Sequence, residues 1–381
     1  MGSLFQLLFF AFIPLSLFAE GVSRSVQKKV FFVLYVMLAL LVAVRFGVGI
    51  DTLNYMIVFD YIPKLKDLSL IDFFYFRFQP LYTLINSFCR TIFDDFLFLQ
   101  IIHSILFYHS LYLLLKKFDL CKIYILFVIF TSIYFGPGMQ MMREGFALSF
   151  CFYGLIFWME GKLLLYLLFV LLGFGFHSGV VVFFLLPLLK LYANKYKYSS
   201  KAFVIFVALI MISFLFVDFF TSKLGAVGDA SISRYKVSGD GYSFSFISGI
   251  RSLLLMFVLY KYVFLKKQVS PFVFYLGFMY VIIDFFAGSY MPILFRVATY
   301  FSVFYFILIK KVFDDKIDKY LKLFCVCLIF YQPITRGIYS LFTSTYSVPY
   351  MKYCSYYSSE KEKSYYVKLK NNLNAFDYFS N

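Results

Sequence analysis

Residues 163–190 read LLLYLLFVLLGFGFHSGVVVFFLLPLLK. An apolar run of this length belongs in a bilayer, whose hydrocarbon core of about 30 Å takes roughly 20 helical residues. A single straight crossing does not fit, because Gly173, Gly175 and Gly179 surround His177 at its middle. A glycine break frees backbone groups, which are tolerated at membrane depth only where protein or a cavity covers them. A histidine there is costly unless it is used or paired. The stretch therefore reads as a re-entrant hairpin with its apex at Phe176-His177-Ser178-Gly179.

The rest of the chain has the same character. It is 62% hydrophobic and only 15% charged, against about 25% charged in soluble domains, and its mean hydropathy is +0.82. Further apolar segments lie at 3–19, 30–45, 95–115, 122–137, 141–159, 202–220, 246–265, 270–288, 292–310 and 323–341. Segment 79–93 is shorter, opens at Pro80 and contains Arg90. No run alternates with the period of a membrane β-strand. The expected fold is an all-α polytopic membrane protein of about 10–12 transmembrane or re-entrant helices with no soluble domain. Residues 1–342 form its transmembrane domain and 343–381 a Tyr/Lys-rich tail. The run from Ser3 to Ala19 lacks a basic stretch before it and reads as a retained span, not a cleaved signal.

The basic residues divide by type. Of 27 lysines, 18 lie in loops 20–29, 116–122, 160–162, 190–201, 261–267 and 310–322, which hold one arginine, Arg24. Short loops rich in basic residues stay in the cytoplasm, so these are expected there. The net charge of +16 is explained by this bias, and a nucleic-acid partner is not expected. For all these loops to share one face, 79–93 must not cross fully and 163–190 must turn back. The opposite, outer face then carries 45–78, the turn at Gly136-Pro137-Gly138 and the loop 221–245. The tail falls outside by parity, although its five lysines pull the other way.

Eight arginines avoid the lysine loops. A guanidinium grips phosphate through a planar fork, whereas an ammonium acts as a point charge, so outer-face arginines point to a phosphate. Arg45-Phe-Gly-Val-Gly-Ile-Asp51-Thr-Leu-Asn-Tyr55 leaves a span, with Gly47 and Gly49 allowing a tight backbone. Arg45 and Asp51 read equally as an ion pair and as a snorkelling anchor beside a capped turn. Gln140-Met-Met-Arg143-Glu144 opens a helix. A cation near a helix's positive end favours an anion as its partner, with pairing to Glu144 the alternative. Asp284 and Arg296 flank the turn Gly288-Ser-Tyr-Met-Pro292 and are a candidate ion pair. Arg234-Tyr235 in the outer loop suits a phosphate and a sugar ring, or merely a solvated loop. Arg77, Arg90, Arg251 and Arg336 read as anchors or structural pairs. His103 and His109, six residues apart, lie on different helix faces, and the six scattered cysteines form neither a disulfide framework nor a metal motif. No metal site and no cofactor are expected.

In order, Arg45…Gly49-Ile-Asp51…Tyr55, Gln79-Pro80-Leu81, Arg143…Ala147 and Phe176-His177-Ser178 resemble the EpsG-like and Wzy-type polymerases of bacterial O-antigen and exopolysaccharide. The likeness is strongest over residues 30–190; beyond it only Arg234-Tyr235 and Pro349-Tyr350 fit the pattern. The family often carries Glu before the proline, where this chain has Gln79. The resemblance implies a GT-C-like polymerase in the bacterial inner membrane. Its substrates would be oligosaccharide repeat units on undecaprenyl pyrophosphate, joined at the periplasmic face. A pyrophosphate leaving group needs cations, and the acceptor hydroxyl needs a base. Arg45, Arg143 and Arg296 are then the expected pyrophosphate clamp. His177 is the first candidate base and Asp51 the second, while Tyr55, Gln79, Arg234 and Tyr235 are expected sugar contacts. A flippase and a chain-length regulator in the same membrane are the implied partners.

Two other functions are open. A lipid-linked oligosaccharide flippase would show related halves, and no internal repeat is visible. A membrane O-acyltransferase would draw its acyl donor from the cytoplasm, where the lysine-rich loops hold no histidine.

Overall fold

The computed structural model describes residues 4–18, 22–76, 78–223, 246–287, 294–314, 320, 324–331, 334, 354–359 and 363. The chain is an all-α polytopic membrane protein. Its residues group into two compact units, Met1–Phe184 with Pro333–Asn381, and Leu185–Gln332. Among the described residues three stretches are long and apolar enough to cross a membrane: Arg24–Ala43, Phe96–Lys117 and Ser178–Tyr196.

In the first unit, α1 (Leu4–Phe18) and α2 (Arg24–Ala43) are followed by α3 (Ile50–Tyr61), α4 (Leu70–Tyr75) and α5 (Pro80–Ile92). Then come α6 (Phe96–Lys117), α7 (Ile123–Ile129), α8 (Met142–Met159), α9 (Leu163–Phe174) and α10 (Val181–Phe184). The stretch 45–78, expected as an outer loop, is thus largely helical. In α3 the side chains of Thr52, Leu53, Tyr55, Met56, Ile57, Val58 and Phe59 are buried. Twelve residues give about 18 Å of helix, too short to span a bilayer but long enough to bury an apolar face. Ser69 and Asp72 cap α4 reciprocally, and it turns Leu70, Ile71 and Phe74 outward.

Charge pairs gather the lysine-rich loops at one end of this unit. Arg24 reaches Asp119 at 2.5 Å and Lys28 reaches the same carboxylate at 3.8 Å. Lys117 and Lys162 both meet Glu160, at 3.3 and 3.0 Å. Loops 20–29, 116–122 and 160–162 therefore share an end, as their composition predicts. Between the ends, helices are tied by side chains that find backbone carbonyls. Tyr35 donates to the Tyr108 carbonyl and Ser104 to that of Ala39, each at 2.7 Å. Helices α8 and α9 approach closely through glycine: a Cβ on Gly173 would lie 2.9 Å from the Ala147 carbonyl oxygen. Small residues permit such crossings where lipid supplies no hydrophobic drive.

The break in 163–190 falls where the sequence puts it. Helix α9 ends at Phe174, a single 3-10 turn covers Ser178–Val180, and the chain turns back. Tyr166 in α9 then donates to the Phe183 carbonyl of α10. Helix α5 stays at the arginine-bearing end. Leu81 N donates to the Gly175 carbonyl at 2.9 Å, and Arg90 donates to the carbonyls of Asp60 and Ile62 at the end of α3. Arg90 is the structural anchor its position suggests.

The tail returns to this same end. Ser355 pairs with Arg45 as an isolated antiparallel bridge. Phe46 N donates to the Cys354 carbonyl at 2.8 Å and Tyr356 N to the Val44 carbonyl at 2.9 Å. The Tyr356 ring meets Phe46 edge-on at 5.0 Å, and Lys363 lies 5.7 Å over Phe46. Segment 354–359 thus lies at the Val44–Phe46 end of α2, away from Arg24.

In the second unit, Leu186–Tyr196, Ser200–Lys223, Phe246–Leu259, Pro271–Ala287, Leu294–Thr299 and Ser302–Asp314 are helices. The partner of Asp284 that the sequence does not single out is Arg251, 2.9 Å away with both side chains almost fully buried. Such a pair offsets the cost of burying two charges only while both partners are present.

Two outcomes follow. Arg251→Ala leaves Asp284 buried without that partner and should destabilise the purified protein by about 3–5 kcal/mol; Arg251→Met with Asp284→Leu should recover most of it in detergent melting curves. In a Cys327→Ser background, Ser359→Cys and Ser69→Cys should label from one side of the membrane with an impermeant maleimide and Lys162→Cys from the other. Labelling of Ser359→Cys together with Lys162→Cys would contradict the docking of the tail.

Candidate functional site

The site is built where α2 hands over to α3. Gly47 and Gly49 have φ of 64° and 97°, values that side chains with a Cβ rarely adopt. A Cβ on Gly49 would also lie 2.8 Å from Gln140 Cγ. This segment therefore crosses directly over the turn that precedes α8. That turn is wider than the sequence suggests: Phe130–Tyr134 and Gly136–Gln140 are π-helical.

Arg45 is fully buried. Its Nη1 donates to the Val42 carbonyl and its Nη2 to the Met139 carbonyl, both at 2.5 Å. Its own carbonyl accepts from Gln100 Nε2 at 2.9 Å. Both terminal nitrogens are thus directed at backbone, one at the last turn of α2 and one at the Gly136–Gln140 turn.

Arg143 is the second residue of α8 and is half-buried. Its guanidinium carbon lies 4.6 Å over the Phe78 ring and 5.9 Å from that of Tyr55, and its Nε approaches the Tyr55 hydroxyl at 3.4 Å. Tyr82 joins this frame, 5.6 Å from Tyr55 and 5.3 Å from Phe78. Phe146, one turn along α8, is 6.3 Å from Tyr82 and stacks on Phe176 at 5.2 Å. The four motifs read from the sequence are therefore joined by contacts. Tyr55 comes from α3, Phe78 and Gln79 precede α5, Arg143 and Phe146 are on α8, and Phe176-His177 form the break. A Cβ on Gly175 would sit 2.6 Å from Leu81, so the glycine lets α5 reach the break. Asp51 is half-buried, one turn before Tyr55 in α3, and residues four apart share a helix face. The side-chain oxygens of Thr52, Gln79 and Thr83 are buried and take no hydrogen bond from a described residue.

His177 is half-buried at the break, and its Nδ1 accepts from Gly179 N at 3.1 Å. An imidazole that accepts at Nδ1 carries its proton on Nε2. In this arrangement His177 caps the 3-10 turn. His103 was set aside by spacing, yet it is fully buried with Nε2 3.1 Å from the Pro137 carbonyl oxygen. His109 instead meets the Tyr153 hydroxyl at 2.7 Å, so the two histidines do face different neighbours. A signal for His103 was available in its depth within an apolar span.

Arg296 belongs to the second unit, half-buried in Leu294–Thr299, where its carbonyl accepts from Thr299 at 2.6 Å. Arg234 and Tyr235, with Arg77, Arg336 and Pro349-Tyr350, lie outside the described residues. Among the described residues no group of three His, Cys, Asp or Glu side chains is placed to hold a metal.

Arg143 at the start of α8 is thus framed by the rings of Tyr55 and Phe78. Residues 28–358 match the EpsG family, and the chain belongs to it. Membership gives it a polysaccharide-polymerase-like role of the glycosyltransferase type. No curated protein and no solved structure matches the chain.

Asparagine at 177 preserves a cap acceptor for Gly179 N but takes no proton near neutral pH. His177→Asn should therefore retain most polymer synthesis, and His177→Ala should lose more. Loss of about 10²-fold or more in His177→Asn, the range of general-base removal, would make His177 the proton acceptor instead.

Proposed function

We propose that the protein joins oligosaccharide repeat units carried on undecaprenyl pyrophosphate, at the periplasmic face of the bacterial inner membrane. The observation that carries this reading is Arg143, held by aromatic faces at the positive end of α8. Rings engage a guanidinium through their π-faces, and a guanidinium's planar N–H fork matches phosphate oxygens. The helix end adds partial positive charge at the same place.

In the reaction, the bond between the anomeric carbon of the growing chain and its pyrophosphate oxygen breaks. The electron pair leaves with the lipid pyrophosphate, and a hydroxyl oxygen of the incoming unit bonds to the anomeric carbon. That hydroxyl releases its proton to a base. Arg143 stabilises the charge gathering on the pyrophosphate. Arg45 supports that role from below, through the backbone it holds. Asp51, on the Tyr55 face of α3, is the better placed proton acceptor, because Nδ1 of His177 is engaged. His177 then donates through Nε2. Tyr55 and Tyr82 present ring faces to a sugar, and Gln79, Thr52 and Thr83 have oxygens to spend on its hydroxyls.

The test is the surface-glycan ladder in a strain lacking the chromosomal gene. Complementation with Arg143→Ala should leave single repeat units on the lipid core at normal protein level, with polymerisation down about 10²–10³-fold. Long chains from Arg143→Ala would remove the assignment of this site. Loss of even single units in the deletion strain would favour a flippase.

A further inference from the structure

We infer that His103 is a positioning residue for Arg143, acting through the backbone of the Gly136–Gln140 turn; this rests on the role proposed for Arg143. The reasoning starts from that turn's carbonyls. Its backbone bonds close rings of five residues, Gln140 N to Phe135 O and Met141 N to Gly136 O. Met141 then leaves helical geometry, with ψ of 66°, so the Pro137 and Met139 carbonyls are not taken up by a continuing helix. A buried carbonyl with no donor is destabilising. Arg45 supplies Met139 and His103 supplies Pro137.

A carbonyl oxygen only accepts, so His103 Nε2 carries the proton of that bond. The bond lies against α8 itself: a Cβ on Gly145 would fall 2.2 Å from His103 Nε2 and 2.2 Å from the Pro137 oxygen. Gly145 is two residues after Arg143 and follows Met141 by a backbone bond of 2.9 Å. The His103 ring also meets Phe146 edge-on at 5.2 Å, and Phe146 continues to Tyr82 and the Arg143 frame. His103 thus fixes the first turn of α8 by two routes, a hydrogen bond to the segment before it and a ring contact within it. It does not need to touch the substrate. Its effect is to aim the guanidinium.

The experiment is a double-mutant cycle on the purified full-length protein in nanodiscs, with lipid-pyrophosphate-linked repeat units as substrate. The initial rate of ladder formation and the melting temperature are read together. His103→Leu should slow polymerisation at least about tenfold, equivalent to about 1.4 kcal/mol, at a temperature well below its own, lowered melting point. His103→Gln, whose amide also donates, should stay within about threefold of wild type. In an Arg143→Ala background His103→Leu should cost nothing further, because residues acting as one unit are not additive. Gly145→Ala pushes on the same bond from the α8 side. Should His103→Leu not fold, Gly145→Ala alone and with Arg143→Ala decides by the same criteria.

Wild-type rates in folded His103→Leu or Gly145→Ala, a fully additive loss with Arg143→Ala, or a His103→Gln variant as slow as His103→Leu would each overturn the inference. An active Arg143→Ala variant would instead overturn the function proposed for the site, and it is read before any variant at 103.

Discussion

A buried backbone carbonyl has no water to fall back on, and the wide turn over Gly136–Gln140 leaves those of Pro137 and Met139 to be satisfied by side chains. Arg45 answers one and His103 the other. Each donor comes from a different helix, α2 and α6, so one local requirement ties three elements into a single body. The consequence for Arg45 is specific. A residue whose type suggests a phosphate clamp has its terminal nitrogens aimed at backbone. Arg143 lies just beyond the turn that Arg45 and His103 hold.

The environment of Arg143 would be unfavourable without its neighbours. A cation at the start of a helix faces the positive end of the dipole, a penalty on the order of 0.3–1 kcal/mol at an exposed site. The Phe78 face, 4.6 Å from the guanidinium carbon, returns about 0.5–2 kcal/mol depending on desolvation. These terms are of similar size and opposite sign, so the ring face offsets the cost of placing a cation at the helix start.

Much of this was legible in the sequence and some was not, for identifiable reasons. The helical segments, the break at Gly173–Gly179 and the gathering of lysine loops follow from length, glycine and charge, which are local properties. Arg143 at a helix start was legible because Gly136-Pro137-Gly138 announces the preceding turn. The direction of Arg45 was not, because a guanidinium between an aqueous face and a buried turn can go either way until the turn's carbonyls are known. Arg251, 33 residues before Asp284, meets it across a helix pair, and no local pattern marks that partner. The role of His103 was not legible because its partner carbonyl is 34 residues away; spacing showed only that it does not pair with His109. The docking of Cys354–Tyr356 on Val44–Phe46 joins segments from opposite ends of the chain, and no local pattern encodes it.

Glycine explains why this architecture is precise. At Gly145, Gly173 and Gly175 the nearest atoms to a hypothetical Cβ include backbone oxygens, at 2.2 Å from Pro137, 2.9 Å from Ala147 and 3.2 Å from Leu172. Side chains can move aside from a new methyl group, but main chain cannot do so without shifting a helix. Positions set by backbone against backbone are stiff because interiors packed this way deform little. Two of these three glycines bear directly on the Arg143 frame, Gly145 through His103 and Gly175 through Leu81. The start of α8 is therefore placed by contacts whose tolerance is a fraction of an ångström. That stiffness fixes the point and direction from which the Arg143 side chain leaves the helix.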